Sequence, residues 1–213
     1  EYVQANLFEG VKTLVSVDLP SAKTIGALAF KGCTQLTSVN MPVVTEVQRF
    51  AFNNCGTLTS LSMEEVTKIE GYAFQASGLQ SVYAPKLKVL LGGAFNQSKA
   101  LKSFVSEVLE EIDTTDNTYG PFAGAPIELI DLSTVHTISG QNSILHDIQR
   151  AAAVIFRSNT PPSLETANNL YTSNAGVKFY VPDDAVEAYK TAENWSAYAS
   201  KILPLSDYEE PTE

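Results

Sequence analysis

Apolar residues return along this chain at fixed intervals, and the interval predicts the architecture. Six segments align on their first apolar position: LVSVDL from Leu14, LTSVNM from Leu36, LTSLSM from Leu58, LQSVYA from Leu79, LKSFVS from Leu101 and IELIDL from Ile127. Their starts lie 22, 22, 21, 22 and 26 residues apart, and a degenerate copy, AAAVIF from Ala151, follows after 24. Counting from each first apolar residue, offsets zero, three and five carry an LxxLxL pattern. Offset eight holds Ala22, Val44, Val66, Leu87, Leu109 and Val135, and offset eleven holds Ile25, Val47, Ile69, Leu90, Ile112 and Ile138. Ala-Phe pairs end at Phe30, Phe52, Phe74 and Phe95, with Phe8 in register before Leu14 and Phe122 assigned the same place beyond an insertion.

A unit this short cannot enclose a core, so neighbouring units must stack and turn each column into a continuous apolar ladder. The predicted fold is a repeat solenoid, mainly β, built from coils with a parallel sheet and closed by a small α/β C-terminal cap. Strands are expected at offsets two to five and helix only after Pro182. Six or seven coils stacked at ~4.8 Å give a body roughly 30 Å long. The expected divisions are a solenoid over 1–156, a cap over 157–206 and an acidic tail over 207–213.

The run LTSVNMPVVTEVQRFAFNNCGTL, with its LxxLxLP strand, inward Val47, Ala51-Phe52 and small Cys55, resembles the BspA-type leucine-rich repeat of bacterial surface proteins. VKFYVPDDAVEAYKTAENWSAYASKI resembles the C-terminal cap that closes such arrays. The matches run from about Phe8 to Ile202. Pro20, Pro42 and Pro85 end their strands, whereas Glu64, Glu107 and Ser133 depart from the pattern. The resemblance implies an extracellular or cell-surface protein of a mucosa-associated microbe, with binding or adhesion as its role.

The ends are read from capping chemistry. Val177 to Val181 has strand composition, Pro182 stops it, and Asp183 or Asp184 begins a helix through Lys190, with Glu187 completing a capping-box spacing. Trp195 and Tyr198 share a helical face and read as anchors of the cap. The segment SNTPPSLETANNLYTSN reads as a loop. The chain opens part-way through a unit at Glu1, which is read as a truncation in preference to an end covered by another domain or subunit. The same opening offers no leader from which secretion could be judged.

Charge removes two classes of partner. With 14 Lys plus Arg against 24 Asp plus Glu, the net charge of −10 argues against a nucleic-acid backbone or an anionic membrane surface. No apolar run approaches the ~20 residues of a membrane span.

Catalytic chemistry finds little support. Cys33 and Cys55 share one small-residue column with Val11, Ser77, Ser98 and Ala125, and read as buried free thiols rather than a disulfide. His136 and His146 have no nucleophile in a catalytic context and read as surface or packing residues. The insertion DTTDNTYG brings Asp113, Asp116 and Asn117 together without EF-hand spacing, so a polar excursion is preferred to a calcium loop. The reading is therefore not an enzyme, with no cofactor and no metal.

Two functions remain. One is a binding module that presents its sheet to a host or microbial protein or glycan; the other is a structural spacer within a longer surface array, whose partner is a neighbouring repeat. Period-two alternation places offsets two and four outward from the LxxLxL strand. Offset two is almost uniformly Ser, whereas offset four varies as Asp18, Asn40, Ser62, Tyr83, Val105 and Asp131. Asn40, Tyr83 and Asp131 are the candidate contact residues.

Overall fold

The computed structural model describes residues 1–148, 150 and 153–209. The first two residues of the degenerate copy and the end of the acidic tail lie outside the described residues.

Each regular unit crosses two parallel sheets. The LxxLxL stretch supplies the first: Ser16–Asp18 pairs with Ser38–Asn40, and a separate six-stranded run joins Ser81–Tyr83, Ser103–Ser106, Leu129–Leu132, Ala153–Ile155, Lys178–Val181 and Ile202–Pro204. Its registers, Ser16 beside Ser38 and Ser81 beside Ser103 and Leu129, stack the same offset in successive units. The second sheet is an addition to the expected architecture. Eight strands, Tyr2–Val3, Thr24–Ile25, Glu46–Val47, Lys68–Ile69, Val89–Leu91, Glu111–Asp113, Thr137–Ser139 and Ser163–Leu164, pair in this order. Their inward residues are the offset-eleven column, from Ile25 to Ile138, all fully buried.

The third side is a ladder of turns. Leu28, Phe50, Tyr72 and Gly93 adopt positive φ two residues before the stacked phenylalanine, and Gly32, Asn54, Ala76 and Gln97 do so two residues after it. Alternate amides then divide their partners. Leu28, Phe30 and Gly32 donate to Arg49, Ala51 and Asn53 in the next coil, while Ala29, Lys31 and Cys33 donate within their own turn. Left-handed backbone costs non-glycine residues roughly 1–2 kcal/mol each, and here every such turn is held by bonds in both directions.

Inside, the rings of Phe8, Phe30, Phe52, Phe74 and Phe95 stack at centroid spacings of 5.1–5.4 Å with interplanar angles of 5–12°. Phe122 continues the stack at 6.1 Å, as its assigned place requires. Cys33 and Cys55 are free and buried. Their thiols donate to the carbonyls of Phe8 and Phe30, as Ser98 donates to Phe74, so the small column serves as a rung between coils.

The insertion after Asp113 folds back along the turn side. Arg49 donates to Asn117 Oδ1 at 3.1 Å, its guanidinium lies 5.1 Å from the centroids of the Phe50 and Tyr72 rings, and the Tyr72 hydroxyl accepts the Thr118 amide. Glycine at positions 71 and 92 makes this approach possible, because a Cβ at Gly92 would sit 2.7 Å from the Tyr119 carbonyl oxygen and one at Gly71 would overlap Asn117.

The C-terminal end is closed by aromatic edges instead of stacked faces. Trp195 is fully buried, donates Nε1–H to Pro162 O at 2.8 Å and meets Phe156, Phe179 and Tyr189 at 80–82°. The one α-helix, Val186–Thr191 among the described residues, packs beside it. Two expectations need correction here. The expected loop contains the eighth rung of the second sheet and a 3-10 turn at Ala167–Leu170, whose start is the real capping box: Thr166 Oγ1 accepts the Asn168 amide and Asn169 Oδ1 accepts that of Thr166. Asp183 and Asp184 instead begin a 3-10 turn, and Asp183 accepts the Ser206 amide, leaving the α-helix without a side-chain cap.

Candidate binding face

The first sheet is interrupted, and the interruption makes the face. Between Ser38–Asn40 and Ser81–Tyr83 the intervening coil runs through Ser60, Leu61 and Ser62 without forming a strand. The outward serine column and the exposed Tyr83 therefore border a groove of about 410 Å³, lined by Thr37, Ser38, Val39, Ser60, Leu61, Ser62, Glu64, Ser81 and Tyr83. Small side chains at offset two leave backbone accessible there, while Val82 beneath is buried and fixes the strand that carries Tyr83.

Tyr83 is 48% exposed, and its hydroxyl donates to Glu107 Oε1 on the adjacent rung at 2.7 Å. This bond to a carboxylate raises the phenol above its ordinary pKa, since ionisation would set two negative charges together. The pairing ties the hydroxyl to the neighbouring rung while the side chain stays half-exposed at the groove. Asn40 follows Val39 along its strand and donates Nδ2–H to Asp18 Oδ1 at 2.7 Å, so it borders the groove as half of a surface pair.

Asp131 does not join them. Its outward offset is as expected, yet it is only 7% exposed: Arg157 Nη2 donates to Oδ2 at 2.8 Å and Ser133 donates to Oδ1 at 2.6 Å. The later coils carry larger neighbours at the same column, and the arginine folds over the carboxylate. Tyr83 is thus the candidate placed in the groove, with Asn40 at its margin and Asp131 occupied two rungs beyond.

Sequence reasoning missed the acids. Glu64 and Glu107 stand where Pro20, Pro42 and Pro85 end other strands, and replacing proline at a strand end by a carboxylate was the readable signal. Elsewhere Asp113 Oδ1 accepts the Thr115 amide and Asn117 Oδ1 accepts from Arg49, which turns the insertion's oxygens to its own folding. Among the described residues no group of three or more His, Cys, Asp or Glu is arranged to hold a metal. Among the same residues no helix is long and apolar enough to cross a membrane.

A BspA type leucine rich repeat region, in six copies, matches residues 1–117. A crystal structure of a leucine rich cell surface protein from Faecalibacterium prausnitzii is similar with a TM-score of 0.59 and 23% identity, over 87% of this chain and 59% of the other. The chain thus spans less than two thirds of that protein's length. A leucine-rich repeat protein from Bacteroides ovatus aligns over 95% of this chain and 70% of its own, with a TM-score of 0.47 and 16% identity. No curated protein is found to match. The six-copy repeat match covers more than half of the chain, and on that ground the chain belongs to the BspA-type leucine-rich repeat family.

Proposed function

We propose that the chain is a non-catalytic binding module, displayed outside the cell or on its surface, that engages a protein or glycan of a host or neighbouring microbe through the interrupted face. The observation that carries this reading is the gap in the first sheet beside Tyr83, where a half-exposed ring held by Glu107 stands over a column of small hydroxyls. An aromatic face flanked by hydroxyls and two acids suits a weak, polar contact, and a negatively charged chain disfavours anionic partners. The cell-surface description of the Faecalibacterium protein supports the location. Binding to immobilised protein and glycan panels is the test. A partner whose affinity falls about tenfold in Tyr83→Ala and Glu107→Gln supports the face, whereas a partner indifferent to both sinks it.

A structural spacer is the alternative. Leu14, Val17 and Leu19 are only partly buried in the first complete coil, and Leu7 and Val15 are 51% and 52% exposed. Another coil stacked on this end would cover them.

A further inference from the structure

On the turn side, the position following each stacked ring forms a polar column: Lys31, Asn53, Gln75 and Asn96, then Ala123 and His146. The turn ladder puts His146 in this register, since the Gly124 amide donates to its carbonyl as that of Gln97 donates to Ala123 and that of Asn54 to Gln75. Within the column the amides run head to tail. Asn53 Nδ2 donates to Gln75 Oε1 at 2.8 Å, and Gln75 Nε2 donates to Asn96 Oδ1 at 3.0 Å. The next rung is Ala123, whose methyl accepts nothing. The ladder therefore ends on a donor: Asn96 is only 2% exposed, and its Nδ2 has no hydrogen-bond partner among the described residues yet is not sealed from solvent.

The space an amide would fill at Ala123 is a pocket of about 500 Å³, within the ~300–1,000 Å³ typical of small-molecule sites. Tyr119, 41% exposed, stands beside it with its ring centroid 6.1 Å from that of His146. Gln97 and Asp147, both in left-handed backbone, complete the lining. Gly124 makes room for Gln97, because a Cβ there would overlap its amide. Among the described residues no side-chain hydrogen bond engages the Tyr119 hydroxyl, the His146 ring or the Asp147 carboxylate.

We propose that this missing rung is a binding site for a short neutral saccharide, separate from the Tyr83 groove. The chemistry matches that ligand in each part. An exposed ring offers its face to the C–H side of a pyranose, Asn96 supplies a fixed donor, Asp147 accepts from paired hydroxyls, and Gln97 can do both. The lining contains no Lys or Arg and does contain a carboxylate, so a phosphate or carboxylate ligand is disfavoured. Because the site lies on a different side of the coil, its failure leaves the sheet-face reading standing.

The test follows the side-chain amide signals of Asn96 and Gln97 by nuclear magnetic resonance in the whole chain, with lactose, maltose, cellobiose and chitobiose as probes. At about 10 mM sugar, a Kd near 1 mM gives almost full occupancy. At least one sugar is expected to shift both amides, and Tyr119→Ala is expected to weaken that response about tenfold. Ala123→Gln extends the ladder into the pocket and should abolish the response while leaving the melting midpoint at or above that of the native chain. Tyr119→Ala changes a surface ring and guards against an Ala123→Gln that fails to fold. The proposal is overturned if none of the four sugars moves the Asn96 amide, if the shifts persist in folded Ala123→Gln, if Tyr119→Ala leaves them unchanged, or if triglycine produces them equally.

Discussion

The two ends of the ring system solve the same problem by opposite geometry. From Phe8 to Phe95 the rings lie nearly parallel, 5–12° apart, because each coil repeats the backbone of the one before. Around Trp195 the rings meet at 80–82°, because the segments that carry them do not repeat one backbone and so bring edges to faces. Stacking lets a ladder be extended by repeating a short sequence; edge packing terminates it. The stack is therefore replaceable rung by rung, whereas the cap depends on one arrangement.

The largest expected effects break each region at its centre. Phe52→Ala and Trp195→Ala should each cost about 3–5 kcal/mol, since both residues are fully buried and neither surrounding can collapse into the cavity. Denaturant unfolding measures the loss. Hydrogen exchange separates the two: Trp195→Ala should expose the C-terminal coils first, and Phe52→Ala should loosen rungs on both sides of the cavity. Identical exchange maps would mean that the cap and the stack unfold as one unit and the distinction has no energetic content.

A smaller effect is expected where the insertion bridges several coils. Arg49→Ala removes a hydrogen bond to the buried Asn117 and the contact with two rings, together about 1–2 kcal/mol. Faster exchange of the Thr118 amide, which donates to Tyr72, should accompany it. Unchanged exchange would show that the glycine-lined approach holds the insertion without the arginine.

These contrasts explain what could be read from the chain. The columns at offsets zero, three, five, eight and eleven and the ring positions were legible because twenty-odd residues return each to the same environment. The second sheet was not, because its strands are two or three residues long and too short to show alternation; Ile25 and Val47 read only as apolar points. The direction of the insertion was written in the column Ala27, Arg49, Gly71 and Gly92, where glycines follow an arginine, but only stacked coils make those positions neighbours. Tyr83 could be placed by alternation alone. The burial of Asp131 could not, because Arg157 reaches it from 26 residues away. The pocket at Ala123 required knowing that Ala123 and His146 share a column, and the insertion breaks that spacing.

The alkaline limb of stability tests the stack from within. Burial pushes the Cys55 thiol up from 9.0 to about 12. Above the unfolded value the unfolded chain loses this proton while the folded chain keeps it, so the unfolded state gains. The contribution is complete below about pH 9 and is lost as pH rises toward 12. Urea midpoints measured across that window should fall, and native Cys55 should resist alkylation at pH 8 until the chain unfolds.

The smallest expected effect is Cys55→Ser at neutral pH, and its argument comes from the column itself. Ser77 and Ser98 occupy the equivalent position in the next two coils, are 4% and 0% exposed, and lie within 3.3 Å of each other. Ser98 donates to the Phe74 carbonyl at 2.8 Å, the same bond that the Cys55 thiol makes to Phe30 at 3.2 Å. A serine at 55 has an acceptor already in place and fills slightly less volume, so the change should stay within about 1 kcal/mol. It should also flatten the part of the alkaline loss that Cys55 contributes, because the hydroxyl does not titrate there. A loss of several kcal/mol at pH 7 would show that the thiol's size, rather than its donated bond, is what this rung of the stack requires.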